Sequence, residues 1–392
     1  MRLALLGSDH ELQTLLRDLP AEHTIVAAFD AAEHELPLAA LMPHVERGDR
    51  WESLLIRDDV DLVIVASPLH LRMASDGLDP QVRRIDQLKK LAQAGVNLLV
   101  SHPGAELLDA YEIEMLRREG GGLIDVWYPG YAHPAWETIS PSAIGRAPGG
   151  VIFRWSRRVA SRSKADILAA LARDLLRMEG AIGVPKKVTA LAGARADDFN
   201  VPDWSRLSVQ ISTADGSLVR WDLAPAEQSA EWEIAMEQGG KTETFEISCG
   251  AQSHDWDHTS ELQERLTRAA SAIRHRDSQP SEVRGRQFLM ACRSLEALAA
   301  VEKSLQRGRT IEVAQSEQSE EHNFKGVMAS AGCLLLFLIL FAVFVVALVE
   351  GLRLPLRESP IWRLWPLGLI LPLALFLGMQ FLQTVIRKPE SR

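Results

Sequence analysis

The sequence is short of cysteine and has no concentration of positive charge, and each shortage excludes a class of function. Its three cysteines, Cys249, Cys292 and Cys333, are far apart and form no metal-spaced pair, so we expect reduced thiols and no metal site. The net charge is −9 and the basic residues are scattered, which argues against nucleic-acid binding. The N-terminus lacks a basic region followed by a long apolar core, so we expect no signal peptide.

The composition is globular: of 392 residues, 47% are hydrophobic and 24% charged, which allows two domains and an appendage. The chain opens with Leu3–Leu6, an apolar run that ends at Gly7, and then repeats leucine at helical spacing up to Leu19. This order of strand, tight turn and helix is typical of a parallel α/β sheet whose first turn faces a dinucleotide. Gly7 and Ser8 are therefore candidate cofactor-binding residues.

The first turn lacks two of the three glycines that usually surround a pyrophosphate. Asp9 and Leu12 occupy those positions. Ser8 and Glu11 have the spacing of a capping box, in which each side chain bonds the backbone N–H of the other. Glu11 and Asp9 would together place negative charge at the start of the helix and repel a phosphate. We therefore favour a well-capped structural helix over a working phosphate site, and expect weak binding of NAD(P).

Three further buried strands are predicted in the first part of the chain, because each is a short apolar run. They are Thr24–Phe29, Val60–Ala66 and Val96–Val100. Asp30 ends the first of these, where an acid commonly binds the ribose hydroxyls of a dinucleotide; an ordinary turn residue is the alternative. Ser67 and Pro68 close the next strand and are further candidates for cofactor binding.

Several segments, in order along the chain, resemble one protein family. They are AAFD, WESLLIRDDVDLVIVASPLH, LAQAGVNLLVSHP, AYEIEMLRREGGGLIDVWYPGYAHPAWETI, LLRMEGAIGVPKKVTAL and ACRSLEALAAVEKSLQRGRTIEV. Together they resemble the Gfo/Idh/MocA oxidoreductase family over most of residues 1–313. The resemblance implies a Rossmann-like domain with a parallel α/β sheet at 1–120 and an α+β domain with an open antiparallel sheet at 121–313. It also implies NAD or NADP as cofactor and a sugar or polyol as substrate.

The catalytic positions of that family carry other residues here. The lysine of its Glu-Lys-Pro loop aligns with His102. Its Gly-x-His-x-x-Asp element aligns with Leu171, Arg173 and Leu176, and Asp174 lies nearby. By resemblance, His102, Arg173 and Asp174 are therefore the candidate catalytic residues.

Two interpretations of these candidates stay open. A neutral His102 imidazole is able to act as the base that removes a hydroxyl proton. We favour a loop histidine without catalytic role, since its usual partners are absent. Arg173 and Arg177 border the same cleft on a predicted helix and are able to bind an anionic ligand, although solvated surface arginines are the commoner case.

Alternating residues in 121–313 predict the antiparallel sheet, with a hairpin turn at Asp215-Gly216. The clearest strands are Val151–Trp155, Lys187–Gly193, Leu207–Ser212, Ser217–Leu223 and Thr242–Ile247. Helices are predicted at 260–275 and 283–306. In the family, the open face of this sheet often packs against a second subunit, so the resemblance implies a homo-oligomer.

The last part of the chain changes abruptly in composition. A polar linker is predicted at 314–325, a transmembrane helical hairpin at 326–386 and a short tail at 387–392. The hairpin rests on two uncharged runs, 327–349 and 365–386, each long enough to cross a bilayer as a helix. We therefore expect an integral membrane protein with two transmembrane helices in the lipid bilayer and its soluble domain in the cytoplasm.

Three functional hypotheses follow. The first is a membrane-anchored, catalytically degenerate relative of the oxidoreductase family that binds an unknown small molecule or a protein partner. The second is an active NAD(P)-dependent oxidoreductase with relocated catalytic residues. The third is a structural membrane protein that uses the fold as an assembly surface. The joint loss of the glycines, the lysine and the histidine favours the first over the second.

Overall fold

The computed structural model describes most of the first four fifths of the chain. The described residues are 1–16, 19–30, 45–48, 50–67, 79–131, 133, 135–139, 151–161, 163–195, 198–213, 216–224, 231–238, 240–248, 258–275, 285–313, 337, 340–341, 343–349 and 351–352. The chain divides into two compact units, Met1–Gln315 and Ser316–Arg392.

Within the first unit, six described strands form an all-parallel sheet in the order β3-β2-β1-β4-β5-β6. They are β1 (Arg2–Leu6), β2 (Thr24–Phe29), β3 (Glu46–Gly48), β4 (Leu62–Val65), β5 (Leu98–Ser101) and β6 (Ile124–Trp127). The helices described between them are α1 (His10–Leu16), a 3₁₀ helix at Trp51–Leu55, α2 (Pro80–Gln93) and α3 (Leu107–Gly120). This is the predicted Rossmann-like sheet, and its strand order reverses between β1 and β4.

The side chains of β1 explain how this sheet is covered on both faces. Leu3 and Leu5 pack in one apolar cluster with Leu12 of α1. Ala4 and Leu6 point the other way and pack in the cluster that includes residues of α2 and α3. Because both faces are buried, the strand is apolar throughout instead of alternating. The carboxyl ends of β1 and β4 are thus fixed side by side, at the position where ligands bind in such folds.

A second sheet contains seven strands among the described residues, in the order β12-β11-β7-β10-β9-β8-β13. They are β7 (Ile152–Arg157), β8 (Pro185–Arg195), β9 (Asp198–Thr213), β10 (Leu218–Leu223), β11 (Trp232–Gln238), β12 (Lys241–Ile247) and β13 (Ile311–Glu312). All five predicted strands belong to it, whereas β11 and β13 were not predicted. The expected antiparallel pattern needs correction: β7 and β10 pair in parallel, so the sheet is mixed. These two strands are not consecutive in the chain, and local alternation does not reveal which strands become neighbours.

The division between the two sheets also differs from the predicted boundary at residue 120. β6 pairs with β5 in the first sheet, so that sheet continues to Trp127. A short helix, α4 (Ala135–Thr138), follows before the second sheet begins at Ile152. The apolar side chains of β6 are fully buried, which explains why the strand joins the interior of the parallel sheet.

The described part of the first unit also contains three longer helices: α5 (Lys164–Ile182), α6 (His258–Arg274) and α7 (Arg286–Arg307). α5 contributes Leu171 to the core of the second sheet and Leu176 to the core of the first, so it lies between the two sheets. The strand tryptophans Trp155, Trp221 and Trp232 are buried in the second core, where they pack the sheet. The position of α5 brings the candidate residues on it close to the carboxyl edge of the first sheet.

The other face of the second sheet carries exposed charged side chains. Arg154 approaches Glu237, and Arg220 pairs with Asp222. The homo-oligomer predicted through this face stays a prediction.

The predicted hairpin at 326–386 lies for the most part outside the described residues, as do the linker and the tail. In the second unit the structure describes helical residues at 343–349. Among the described residues, no helix combines the length and the apolar character that crossing a membrane requires.

Candidate functional site

The first turn is built around Gly7, which has φ = +83°, a left-handed conformation that favours glycine. Its N–H donates to the Phe29 carbonyl (2.8 Å), joining the turn to β2. The predicted capping box is wrong: α1 begins at His10, and Asp9 is its cap. Asp9 Oδ1 accepts from the Leu12 N–H (2.6 Å), and Asp9 Oδ2 accepts from the Ser67 N–H (2.7 Å). Asp9 therefore joins the ends of β1 and β4, which a capping rule based on local sequence does not anticipate.

The other candidates near this turn are buried as well. Ser8 is buried, and its hydroxyl accepts from the Gln13 side chain (3.2 Å). Ser67 follows β4 and is buried beside Asp9, so Ser8 and Ser67 lie after the carboxyl ends of two adjacent strands. Pro68 lies outside the described residues.

Glu11 forms an ion pair across the cleft. Its two carboxylate oxygens accept from Arg173 Nη1 and Nη2 at 2.8 and 2.7 Å. Arg173 Nε also donates to the His102 carbonyl (2.7 Å). The negative charge that was expected to oppose a phosphate at this turn is therefore offset by Arg173.

Asp30 ends β2 as predicted, but α2 engages its carboxylate. Arg83 Nη2 donates to Asp30 Oδ1 (2.7 Å), and Gln87 Nε2 donates to Asp30 Oδ2. The residue has φ = +52°, a conformation that aspartate tolerates better than most residues. Both carboxylate oxygens thus already have a donor, so Asp30 is poorly placed to accept from ribose hydroxyls.

Arg84 is a residue of this crevice that the sequence analysis missed. It is 1% exposed, and a Cβ atom added to Gly7 would lie 2.4 Å from its Nη2. Among the described residues it has neither hydrogen bond nor ion pair, and its Nε and Nη1 are buried. Burial lowers the pKa of Arg84 to about 10, which leaves the side chain charged at neutral pH. The charges of Asp30 and Asp9 favour this cation, but neither carboxylate accepts a hydrogen bond from it, so its buried N–H groups suit a further anion.

His102 follows β5, as predicted, but it is enclosed in the protein. The side chain is 2% exposed, and Nε2 lies 3.0 Å from the Ser294 hydroxyl of α7. Burial, with a smaller contribution from the charge of Arg173, lowers the pKa of His102 to about 3. The imidazole is therefore neutral, a weak base, and withdrawn from the cleft.

Asp174 is buried in the core of the second sheet, where its carboxylate has a structural role. Its two carboxylate oxygens accept from the indole N–H groups of Trp221 and Trp232, each at 2.7 Å. Arg157 stacks on the Trp232 ring at 3.5 Å and lies 4.0 Å from Asp174. Burial raises the pKa of Asp174, which the arginine and the two indoles partly counteract. The structure thus brings His102 and Arg173 together but turns Asp174 away from them.

No protein-family profile and no curated protein sequence matches this chain. Solved structures do match it in fold. GenD2 from gentamicin A biosynthesis, in complex with NAD, is 18% identical with a TM-score of 0.62, over 80% of this chain and 96% of GenD2. A myo-inositol dehydrogenase from Corynebacterium glutamicum is 16% identical with a TM-score of 0.61, over 81% and 99% of the two chains. WlbA from Chromobacterium violaceum, in complex with NADH and UDP-GlcNAcA, is 14% identical with a TM-score of 0.57, over 81% and 96%.

The protein shares its architecture with these neighbours: a Rossmann-like parallel sheet is joined to a mixed sheet. More narrowly, residues 1–313 have the fold of the Gfo/Idh/MocA-type oxidoreductases that the sequence resembles. At such low identity the likeness concerns the fold, and function is argued from the site.

Proposed function

We propose that this protein is a membrane-anchored, catalytically degenerate relative of the Gfo/Idh/MocA-type oxidoreductases that binds a phosphate-bearing nucleotide without turning over a substrate. One observation carries the proposal: each candidate catalytic side chain is engaged in bonds within the protein. His102 contacts Ser294, Arg173 pairs with Glu11, and Asp174 accepts from two indoles.

Hydride transfer from an alcohol needs a base that reaches the hydroxyl proton and has a pKa near the working pH. A pKa of about 3 makes His102 too weak a base, and its ring nitrogen faces the protein core. Arg173 is always charged and donates to other groups, so it cannot accept the proton. Asp174 is buried among tryptophans of the second sheet. None of the three meets the requirement.

The crevice beside Gly7 supports binding of an anion. A phosphate there would supply the acceptors that Arg84 lacks, through charge-assisted hydrogen bonds. Asp30 is held by Arg83 and Gln87, so we expect recognition to depend on the phosphate more than on the ribose. Because Ser8 and Ser67 are buried, entry of the ligand requires local opening of this turn.

The membrane anchor in this proposal rests on the sequence. The runs 327–349 and 365–386 carry no charge and have the length of transmembrane helices. We propose that they hold the first unit at a bilayer, with the soluble domain in the cytoplasm. A homo-oligomer formed through the open face of the second sheet belongs to the same proposal.

Calorimetry on the full-length protein in detergent tests the nucleotide site with NAD, NADP and adenosine. We expect NAD or NADP to bind and adenosine to bind more weakly, because it lacks phosphate. Arg84→Gln should weaken the nucleotide by about tenfold or more, which corresponds to a lost charged hydrogen bond. Arg154→Gln, at a 73% exposed side chain, is the matched control and should change nothing. Equal binding of adenosine, or equal effects of both variants, would contradict the phosphate site.

An active oxidoreductase is the second candidate, favoured by the NAD and NADH complexes among the structural neighbours. It is tested by incubating the full-length protein with NAD and myo-inositol and following NADH absorbance. We expect no increase in absorbance. Turnover that His102→Ala abolishes would overturn the proposed loss of catalysis.

A further inference from the structure

A second group of buried cations surrounds Tyr131, in the segment between β6 and α4. The Cζ atoms of Arg177 and Arg265 lie 3.8 and 3.5 Å from the centre of the Tyr131 ring. Two guanidinium groups this close to one ring centre cannot share a face without overlapping, so they lie on opposite faces. The group joins α5, α6 and the segment after β6, at the carboxyl edge of the first sheet.

Arg265 is under-satisfied in this position. It is 2% exposed, and neither Nε nor Nη1 has a hydrogen bond. The nearest acid is Asp125, whose Oδ2 lies 3.6 Å from Arg265 Nη1, beyond good hydrogen-bond distance. Asp125 Oδ1 already accepts from the Val126 N–H (2.8 Å). Stacking on Tyr131 favours the cation but provides no acceptor for its N–H groups.

In the described part of the chain, Arg177 has no acid as ion-pair partner. Among the described residues it has neither hydrogen bond nor ion pair, and its Nε is buried. It is half-buried and stacks on Tyr131, with Trp136 at 5.3 Å. Burial and the neighbouring charge of Arg177 lower the pKa of His133, so His133 carries no charge at neutral pH.

The acids on α5 are already occupied elsewhere. Asp174 accepts from two tryptophans, and Glu179 pairs with Arg293 at 3.2 Å. Among the described residues, Asp125 is thus the one acid paired with these two arginines, and Arg177 Nε and Arg265 Nε and Nη1 have no hydrogen-bond acceptor. Leaving such groups buried and unpaired costs free energy, which an anion would recover.

We propose that Arg177 and Arg265, held on either side of Tyr131, form a binding site for the carboxylate or phosphate of a small organic anion. Arg177, the more exposed of the two, is the principal donor, and Arg265 supplies positive charge from the protein interior. Guanidinium suits this role because its planar fork matches both anion types. This site is separate from the crevice at Gly7, and it extends the proposed function by giving the ligand class of the cleft.

Calorimetry with the full-length protein in detergent, at low ionic strength, tests the site. D-glucuronate and D-glucose 6-phosphate are the carboxylate and phosphate probes, and D-glucose is the neutral control. We expect one or both anions to bind and glucose not to bind. Arg177→Gln should weaken the anion by about tenfold or more, whereas Arg177→Lys should retain part of the affinity. Arg154→Gln, on the exposed sheet face, should have no effect.

Two further measurements distinguish ligand binding at this site from ligand binding at the nucleotide site. Arg84→Gln should leave anion binding unchanged, and Arg177→Gln should leave NAD binding unchanged. If Arg177→Gln fails to fold, phenylglyoxal labelling of the unmutated protein replaces it: the bound anion should protect Arg177 from modification. Absence of binding by both anions, or labelling of Arg177 that neither anion reduces, would overturn the inference while leaving the nucleotide proposal intact.

Discussion

Arg173 and Glu11 form a two-pronged ion pair at 2.8 and 2.7 Å, although 162 residues separate them in the chain. Glu11 lies in the first turn of α1, and Arg173 lies on α5 between the two sheets. Arg173 also holds the carbonyl of His102, so one side chain joins the glycine turn, the loop after β5 and the helix of the second domain. The protein's own charges thus set the geometry of the cleft.

Glu11→Gln should destabilise the protein by about 2–3 kcal/mol, because Arg173 is left partly buried without its anion. Urea unfolding of the full-length protein in detergent measures the change. Glu243→Gln is the control, since Glu243 is exposed on β12, and its effect should stay within about 0.5 kcal/mol. A double variant that also carries Arg173→Gln should lose less than the sum of the two single changes. Strict additivity would contradict a pair that acts as a unit.

Asp174→Ala should cost about 2–4 kcal/mol, since it leaves the indole N–H groups of Trp221 and Trp232 buried without an acceptor. Near-ultraviolet circular dichroism should report the change in tryptophan packing, and urea unfolding its size. Asp222→Ala, at a surface pair with Arg220, provides the matched control and should have little effect. If Asp174→Ala were as stable as the unmutated protein, the structural role of this carboxylate would be wrong.

The stability of the protein should depend on pH through Glu179. Burial raises the pKa of Glu179 from its ordinary 4.5 to about 7, and its Oε2 has no partner among the described residues. A raised pKa in the folded state contributes stability that is complete below pH 4.5 and is lost as the pH rises through 7. The loss should be about 3 kcal/mol at most. Glu179→Gln should flatten this part of the profile; an unchanged slope would assign it to another group.

His102 should remain neutral well below the ordinary histidine range. Its pKa is lowered to about 3, so the ring gains a proton only after the solution becomes strongly acidic. Deuterium exchange at the imidazole C2 position, followed by mass spectrometry across pH, measures this value. The half-buried His133 provides an internal comparison and should titrate at higher pH. A pKa near 6.5 for His102 would reopen its role as a base.

The full chain should stay with the membrane fraction after extraction with alkaline carbonate, because two uncharged runs near its end have transmembrane length. A chain truncated after Gln315 should move to the supernatant. Release of the full chain without detergent would argue against the anchor.

The sequence alone predicted the parallel sheet well, because buried parallel strands are apolar on both faces and stand out as continuous runs. Thr24–Phe29 was predicted to the residue. The positions of Asp30 after β2 and His102 after β5 also followed from strand order. The local sequence pattern was sufficient to predict an element whose successive residues are all buried.

The partners of the polar side chains were decided by the tertiary structure. Asp9 caps α1 while also accepting from Ser67, 58 residues further along the chain, and Glu11 pairs with Arg173 of α5. Arg84 lies on an ordinary amphipathic helix, and only packing against Gly7 makes it a buried cation. The spacing of apolar residues in the sequence indicates which face of a helix is buried. It does not indicate which oppositely charged side chain will lie next to a given charged residue in the folded protein. The candidate site depends on those long-range pairings, so its chemistry was fixed only once the two sheets had come together.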